Sequence, residues 1–442
     1  PLVTDSWYDD AGSRIASEDP LGRRTEWEYD SLGRLIKEIQ PDPDDEGQQL
    51  APWSVFVYDE AGNFLATTDR LDHATTFGYD AIGRRVSTTD PNGGVTHFAF
   101  DAAGNMASLT DPVGNTTQWS FDHAGRIVEE ENQLGASRYF AYNADGDLIQ
   151  KTDRNGRVTE YGYDFLRRRI SETWKSGEET VRSFSFSYNL PGEMLTASDP
   201  AASYTFAYDN FGRAVSITHE IAGLAPAVGM SQQYDLLGPR SQVAATPDFR
   251  TSHTLDGFGR VSRIEQSGVT GGHAVRETRV DFAYDDASQF ATLTRYNNRA
   301  GTQTVAQSSF TFDNTGRLIN LAHAKGQTTL ASHAWTFDAA SRVTAYTNSA
   351  DGSVAYTNDA ASQLTVAIYT YQPPVDDEAY VYDANGNRTN NGYTVGQNNR
   401  LTSDGTNTYT YDDEGNRLTR TNTSTGAVTE YTWDHRNRLT TV

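Results

Sequence analysis

The residues of this 442-residue chain that could do chemistry are few and scattered. Nine histidines stand at His73, His97, His123, His219, His253, His273, His323, His333 and His435, and none forms a His-x-x-x-His or Glu-x-x-His pair on a helix, so zinc chemistry has no support. Cysteine is absent, which excludes zinc fingers, thiol catalysis and disulfide staples. Neither a Gly-x-Ser-x-Gly elbow nor a phosphate-binding glycine loop occurs. Asp42, Asp44 and Glu46, followed by Gly47, mimic the first half of a calcium loop. The place of the closing bidentate glutamate is Trp53, so a solvated acidic loop is the expectation. Aromatic rows containing Trp27, Trp119 and Tyr161 could stack on sugars, but they sit at repeating positions where packing on neighbouring strands accounts for them. Trp53 and Trp174, in or near loops between units, are the better candidates for ligand contact. No catalytic residue, metal or cofactor is assigned.

The elements that would position such residues come from a repeat. Tyr29-Asp30-Ser31-Leu32-Gly33-Arg34 recurs as Tyr79-Asp80-Ala81-Ile82-Gly83-Arg84 and as Phe121-Asp122-His123-Ala124-Gly125-Arg126. The anchors Tyr58, Tyr79, Phe100, Phe121, Tyr142 and Tyr163 are 21 residues apart throughout. A fixed period of this size means one small unit copied many times. Residues copied in this way belong to a scaffold before they belong to a site, so an enzyme is not expected.

Before each anchor the residues alternate, as in Thr25, Trp27, Tyr29 against Glu26, Glu28, Asp30, which predicts a β-strand. A second strand, for example Leu35 to Ile39, follows the glycine. The connection fits a three-residue hairpin built on a type I turn and a left-handed residue. The Asp would cap backbone N–H groups two residues on, and the Gly would take the positive φ. Of 19 units, 14 have Gly there. Arg167, Ser288, Ser341, Ser362 and Asn437 stand in for it, and those units are expected to turn differently. In this register Asp30 faces Arg34, and Gly78, Ser120, Ala141 and Gly162 face Val86, Val128, Ile149 and Ile170. Asp-Pro-x-Gly turns such as Asp19-Pro20-Leu21-Gly22 and Asp111-Pro112-Val113-Gly114 join one hairpin to the next. The expected fold is all-β: a repetitive antiparallel hairpin ribbon of about 19 units curling into a spiral, shell-like or tubular single-layer sheet.

Composition agrees with a thin sheet. Hydrophobic residues make up 36% and aromatic residues 11%, enough for aromatic rows but not for a thick aliphatic interior. A net charge of −23 disfavours nucleic acid and acidic membrane surfaces, and no 18-residue apolar run predicts membrane insertion. The chain reads as one continuous repeat region over 1–442, most regular over 1–187, degenerate over 188–281, and with longer loops over 282–442. It begins in mid-pattern at Pro1, as an internal fragment or a processed chain would.

These units, with the Asp-Pro-x-Gly turns between them, resemble the RHS or YD-repeat family over essentially the whole chain. The resemblance implies a β-ribbon forming a hollow shell. In bacterial toxin complexes and Rhs effectors that shell encloses a C-terminal toxin, and in teneurins it is an extracellular adhesion module. The Tyr-Asp residues Tyr29, Asp30, Gly33, Arg34, Tyr79, Asp80, Gly83, Arg84, Phe121, Asp122, Gly125 and Arg126 are then structural. Toxin-enclosing members close with a DPxG-type core and an aspartyl autoprotease. Here Val442 follows shortly after Asn437-Arg438-Leu439, so autoproteolysis is carried over to no residue. Roughly 38 strands at ~4.8 Å give a sheet ~180 Å long, small for a closed toxin container. The expected function is a non-enzymatic scaffold, secreted or on the bacterial cell surface. The alternatives are a wall segment of a toxin-encapsulating cocoon and a carbohydrate-binding adhesin. Expected partners are a cell-surface glycan, an encapsulated polypeptide, or further copies joined through sheet edges.

Overall fold

The period-2 alternation of the sequence becomes strand after strand in the structure, a computed structural model that describes residues 3–442 apart from 45–46, 48, 226, 235–237, 239, 247–248 and 269–273. Arg24–Tyr29 alternates exposed and half-buried positions. Its partner Leu35–Ile39 is half-buried throughout. Forty strands and one 3₁₀ turn, Gln397–Asn399, make up the described chain. Thirty-three strands belong to one antiparallel sheet, five to a second and two to a third. Pairing runs in chain order: Arg24–Tyr29 takes Leu35–Ile39, which takes Trp53–Tyr58, which takes Phe64–Asp69. The degenerate stretch keeps the ladder, with Ala214–Ile221, Val228–Tyr234, Arg240–Thr246 and Phe249–Leu255 paired in succession.

Little of this sheet is covered. The chain exposes 25140 Å², against about 16,600 Å² for a compact monomer of 48.7 kDa. Fully buried apolar residues among those described are few, namely Ala16, Trp174, Val354 and Ala367. A single layer with half-buried rows on its faces is the architecture such numbers require. The ribbon divides into two compact units, each assembled from separated segments. One comprises residues 1–98, 111–113 and 278–386, and the other 99–110, 114–277 and 387–442.

Two expectations about the hairpins need correction. Gly78 pairs with Ser87, Ser120 with Glu129, Ala141 with Gln150 and Gly162 with Ser171. Val86, Val128, Ile149 and Ile170 are instead left unpaired by a bulge, because Tyr79 already pairs with Arg85 while Gly78 pairs with Ser87. The same register shift recurs at Phe121, Tyr142 and Tyr163. The second correction concerns the units without glycine. Arg167, Ser288, Ser341, Ser362 and Asn437 have φ of 62, 65, 63, 64 and 56°, in the region that Gly33 (77°) and Gly83 (79°) occupy. Their N–H groups close the same turn onto Asp164, Asp285, Asp338, Asp359 and Asp434. The Asp cap and the flanking ladder over-determine the turn, and the side chain bears the strain.

Candidate functional site

Among the described residues the repeat turn is the most elaborated site, and its Asp and Arg groups are bonded inside the sheet. Asp80 Oδ1 accepts from the N–H of Ile82 (3.1 Å) and of Arg84 (2.9 Å), while Oδ2 accepts from Arg84 Nε at 2.7 Å. Asp30 and Asp122 repeat this with Arg34 and Arg126. The Arg84 backbone N–H, then its side chain, holds the Asp80 carboxyl below the usual carboxylate range. The inter-hairpin turns are built alike: Asp19 Oδ1 accepts from Leu21 and Arg23 N–H, and Gly22 has φ of 80°.

Two further ties were not legible in the motif. The anchor tyrosine reaches back, donating its hydroxyl to a carbonyl on a neighbouring strand. Tyr29 bonds Arg14 O, Tyr79 bonds Phe64 O at 2.8 Å and Tyr163 bonds Leu148 O at 2.9 Å. The arginine reaches forward. Arg34 donates to Asp59 O at 2.9 Å and lies 4.9 Å from the centre of the Tyr58 ring. Arg168 does the same with Asn189 O and Tyr188. A unit with both a Tyr anchor and an Arg, such as those of Tyr29 and Tyr163, is therefore clamped within itself, to the strand behind and to the turn ahead. Spacing alone revealed the Asp–Arg pair; the constant anchor-to-anchor distance was the only hint of the other ties.

A second kind of site joins distant parts of the sequence inside each unit. In the first, Arg23 meets Gln289 (2.8 Å), Asn314 N–H meets Pro43 O (3.1 Å), Asn92 meets Asp359 (2.9 Å) and Asp111 meets Asn385 (3.1 Å). In the second, Glu414 has a fully buried side chain held by Arg138 (2.5 Å), the Arg154 N–H (2.7 Å) and Asn437 (3.1 Å). Arg138 and Arg154 also hold Glu130. Burial pushes the Glu414 carboxyl up, but these hydrogen bonds and the Arg138 charge outweigh it and hold it at about 2. Glu172, 3% exposed, accepts from Nε and Nη2 of Arg436 at 3.0 and 2.9 Å. Hairpin-turn residues of the later segment dock on inter-hairpin residues of the earlier one, with Arg138 and Glu172 added from strands.

Trp174 does not fit the role of ligand contact. It is 2% exposed, donates its indole N–H to Glu172 at 2.7 Å and stacks on His435 with ring centres 5.2 Å apart. The physical reason is docking: His435 and Arg436, from the far end of the sequence, cover it. Trp53 begins the strand Trp53–Tyr58, half-buried, with Arg70 5.8 Å from its ring. Glu46 of the acidic loop and His273 lie outside the described residues. Among the described residues no group of three or more His, Asp or Glu could hold a metal ion, and no helix is long and apolar enough to cross a membrane. Ser308 and His323 are hydrogen-bonded at 2.8 Å, but Ser308 is fully buried and its hydroxyl also takes Arg295, so the pair is a cross-strand tie.

This turn chemistry has a recognisable source. The teneurin YD-shell model matches residues 48–183 and 275–442, and the RHS repeat model matches residues 8–44. The chain belongs to the YD-shell family of RHS-repeat proteins. No curated protein matches the sequence. Among solved structures, TcdB2-TccC3 without its hypervariable C-terminal region is similar at 15% identity and a TM-score of 0.60. That match covers 100% of this chain and 25% of the other. TcdB2-TccC3-Cdc42 is similar at 14% identity and a TM-score of 0.57, covering 99% of this chain and 27% of that one. The YD-shell chain thus spans about a quarter of the length of these structures, with which it shares its fold.

Proposed function

We propose that the chain is wall: a non-enzymatic, extracellular scaffold whose repeats build part of a β-shell. The observation that carries this reading is the complete use of the motif. Asp, Arg and Tyr, the groups that could polarise or bind a substrate, are bonded within and between hairpins. A residue so engaged gives rigidity rather than catalysis. The likeness to toxin-complex shells and teneurin YD-shells supports placing it outside the cell, on a bacterial surface or in a secreted complex. The scaffold reading is tested by fusing an unfolded, protease-sensitive peptide to Val442. A wall that helps enclose its contents slows digestion of the peptide relative to the free peptide, whereas equal rates leave only an open surface scaffold. Hydrolytic or transferase activity intrinsic to the purified chain would overturn the non-enzymatic reading.

The second reading, a wall segment of a toxin-enclosing cocoon, is favoured by the fold shared with TcdB2-TccC3. It requires cargo and protease segments encoded with this chain, and sequencing the flanking coding region decides it. A carbohydrate-binding adhesin keeps Trp53 alone as its candidate contact, and a glycan array without signal removes it.

A further inference from the structure

Asparagine followed by glycine occurs four times in the chain, at Asn92-Gly93, Asn155-Gly156, Asn385-Gly386 and Asn391-Gly392. Three of these asparagines stand in turns that meet a distant segment of their own unit, and each donates its side-chain amide to a carboxylate there. Asn92 Nδ2 meets Asp359 Oδ2 and Asn155 Nδ2 meets Asp412 Oδ2, both at 2.9 Å, and Asn385 Nδ2 meets Asp111 Oδ2 at 3.1 Å. Asn92 and Asn155 are exposed, and Asn385 is half-buried. The dipeptide is open to spontaneous deamidation, because glycine has no Cβ to hinder attack of its backbone nitrogen on the preceding side chain.

The step needs only water. The glycine nitrogen bonds to asparagine Cγ and passes its proton to the departing amide. The Cγ–Nδ2 bond breaks, and ammonia leaves a cyclic imide. Water then opens the imide at either carbonyl, to aspartate or to isoaspartate, whose backbone carries an extra methylene. While the seam between segments is docked, both reacting groups are held. Gly93 N–H is bonded to Asp90 O at 3.0 Å and Gly156 N–H to Asp153 O at 2.9 Å, and the amide nitrogens are held by the carboxylates. Opening frees the side chain. The product does not fit back, because a donor has become a second carboxylate facing Asp359 or Asp412. Neither has the arginine that Asp80 finds in Arg84; the residue four places on is Gln363 or Asn416. Two carboxylates so close repel unless they share a proton. Around Asn155 the other anions are Asp413 and Glu414. The cations Arg154, Arg157 and Arg400 are already held by Glu130, Asp153 and the Asp413 carbonyl. We infer that Asn92 and Asn155 are deamidation sites that turn the seam of their unit from attraction to repulsion, so that a seam once opened does not reclose.

Peptide mapping by mass spectrometry, on the folded chain held for weeks in mildly alkaline buffer at body temperature, reads the modification. Aspartate and isoaspartate should accumulate at both sites. Accumulation at Asn155, but not at Asn92, should be about tenfold faster in Glu414→Gln, which loosens only the seam of the second unit. The consequence is read with Asn155→Asp, which supplies the product, and Asn155→Ser, which removes the tie without adding charge. Asp145 already occupies the same place before Gly146, so aspartate suits the turn itself, and circular dichroism verifies that both variants are folded. Near about pH 7, amide exchange in Asn407–Asn422 should be about tenfold faster in the Asp variant than in the Ser variant, and the gap should close below about pH 4, where aspartate takes up a proton. Asn155 left intact in Glu414→Gln after Asn391 has been converted overturns the inference. So does a rate at Asn155 unchanged by Glu414→Gln, or equal exchange in the Asp and Ser variants at neutral pH.

Discussion

Glu414→Gln tests whether the docking of distant segments rests on buried charge. The carboxylate has no exposed surface, accepts from Arg138 and the Arg154 N–H, and is bridged by Asn437. Glutamine keeps the shape and one acceptor but turns an N–H₂ toward the Arg138 guanidinium. Removing one partner of a buried pair costs about 3–5 kcal/mol when the other is orphaned. Arg138 is 25% exposed and retains Glu130 at 3.0 Å, so the cost falls below that range, to about 2–3 kcal/mol. The fall of the Glu414 pKa from its ordinary 4.5 to about 2 implies a similar size. The readout should be local, because repeat arrays unfold in parts. Amide exchange in the hairpin Asn407–Asn422 should accelerate by about 30-fold or more if opening limits it. The pH dependence has a definite sign. An undocked carboxyl binds a proton before the docked one does, so the contribution is complete above pH 4.5 and is lost as the pH falls toward 2. The Gln variant should lack that dependence. Exchange within threefold of wild type, or an unchanged acid profile, would refute the assignment.

Other perturbations probe the single unit. Gly83→Val should cost ~1–2 kcal/mol through left-handed strain at a φ of 79°, and equal protease resistance of its hairpin would contradict the turn geometry. Tyr163→Phe removes only the hydroxyl bonded to Leu148 O and should cost about 1 kcal/mol, read by exchange in Leu148–Thr152. Burial, then the charges of Arg295 and His333, push the His323 pKa down. The unfolded state then binds the proton first, so the ladder around Leu318–Lys325 should loosen as the pH drops below about 6.5. His323→Asn should flatten that response in exchange measurements, and a slope identical to wild type would show that other groups carry it.

The fold was readable because turn chemistry repeats locally. Asp30, Gly33 and Arg34 lie within five residues of one another, and their capping geometry depends on nothing distant. The bulge was missed because register depends on how the ladder resumes after the turn. Counting outward from Gly83 placed Val86 opposite Gly78, whereas the ladder skips Val86. The glycine rule failed for a related reason. Five residues take the same positive φ because their neighbours hold them there, a tertiary override of local preference.

The docking of Trp174 exposes a deeper limit. Its occluding partners, His435 and Arg436, are 261 and 262 residues away, in a copy of the repeat that differs little from its siblings by sequence. Where the chain meets itself depends on how far the ribbon curves per hairpin, a sum of small twists that no local pattern records. Yet a trace of the meeting is present in the tips. A turn destined to dock on an inter-hairpin turn carries residues that satisfy buried backbone and carboxylate groups, as Glu414 does for the Arg154 N–H. A tip with Phe or Leu has nothing to offer such groups and gains only by excluding water. A copy of the repeat docks through tip residues of this kind, and the spacing of the motif does not record them.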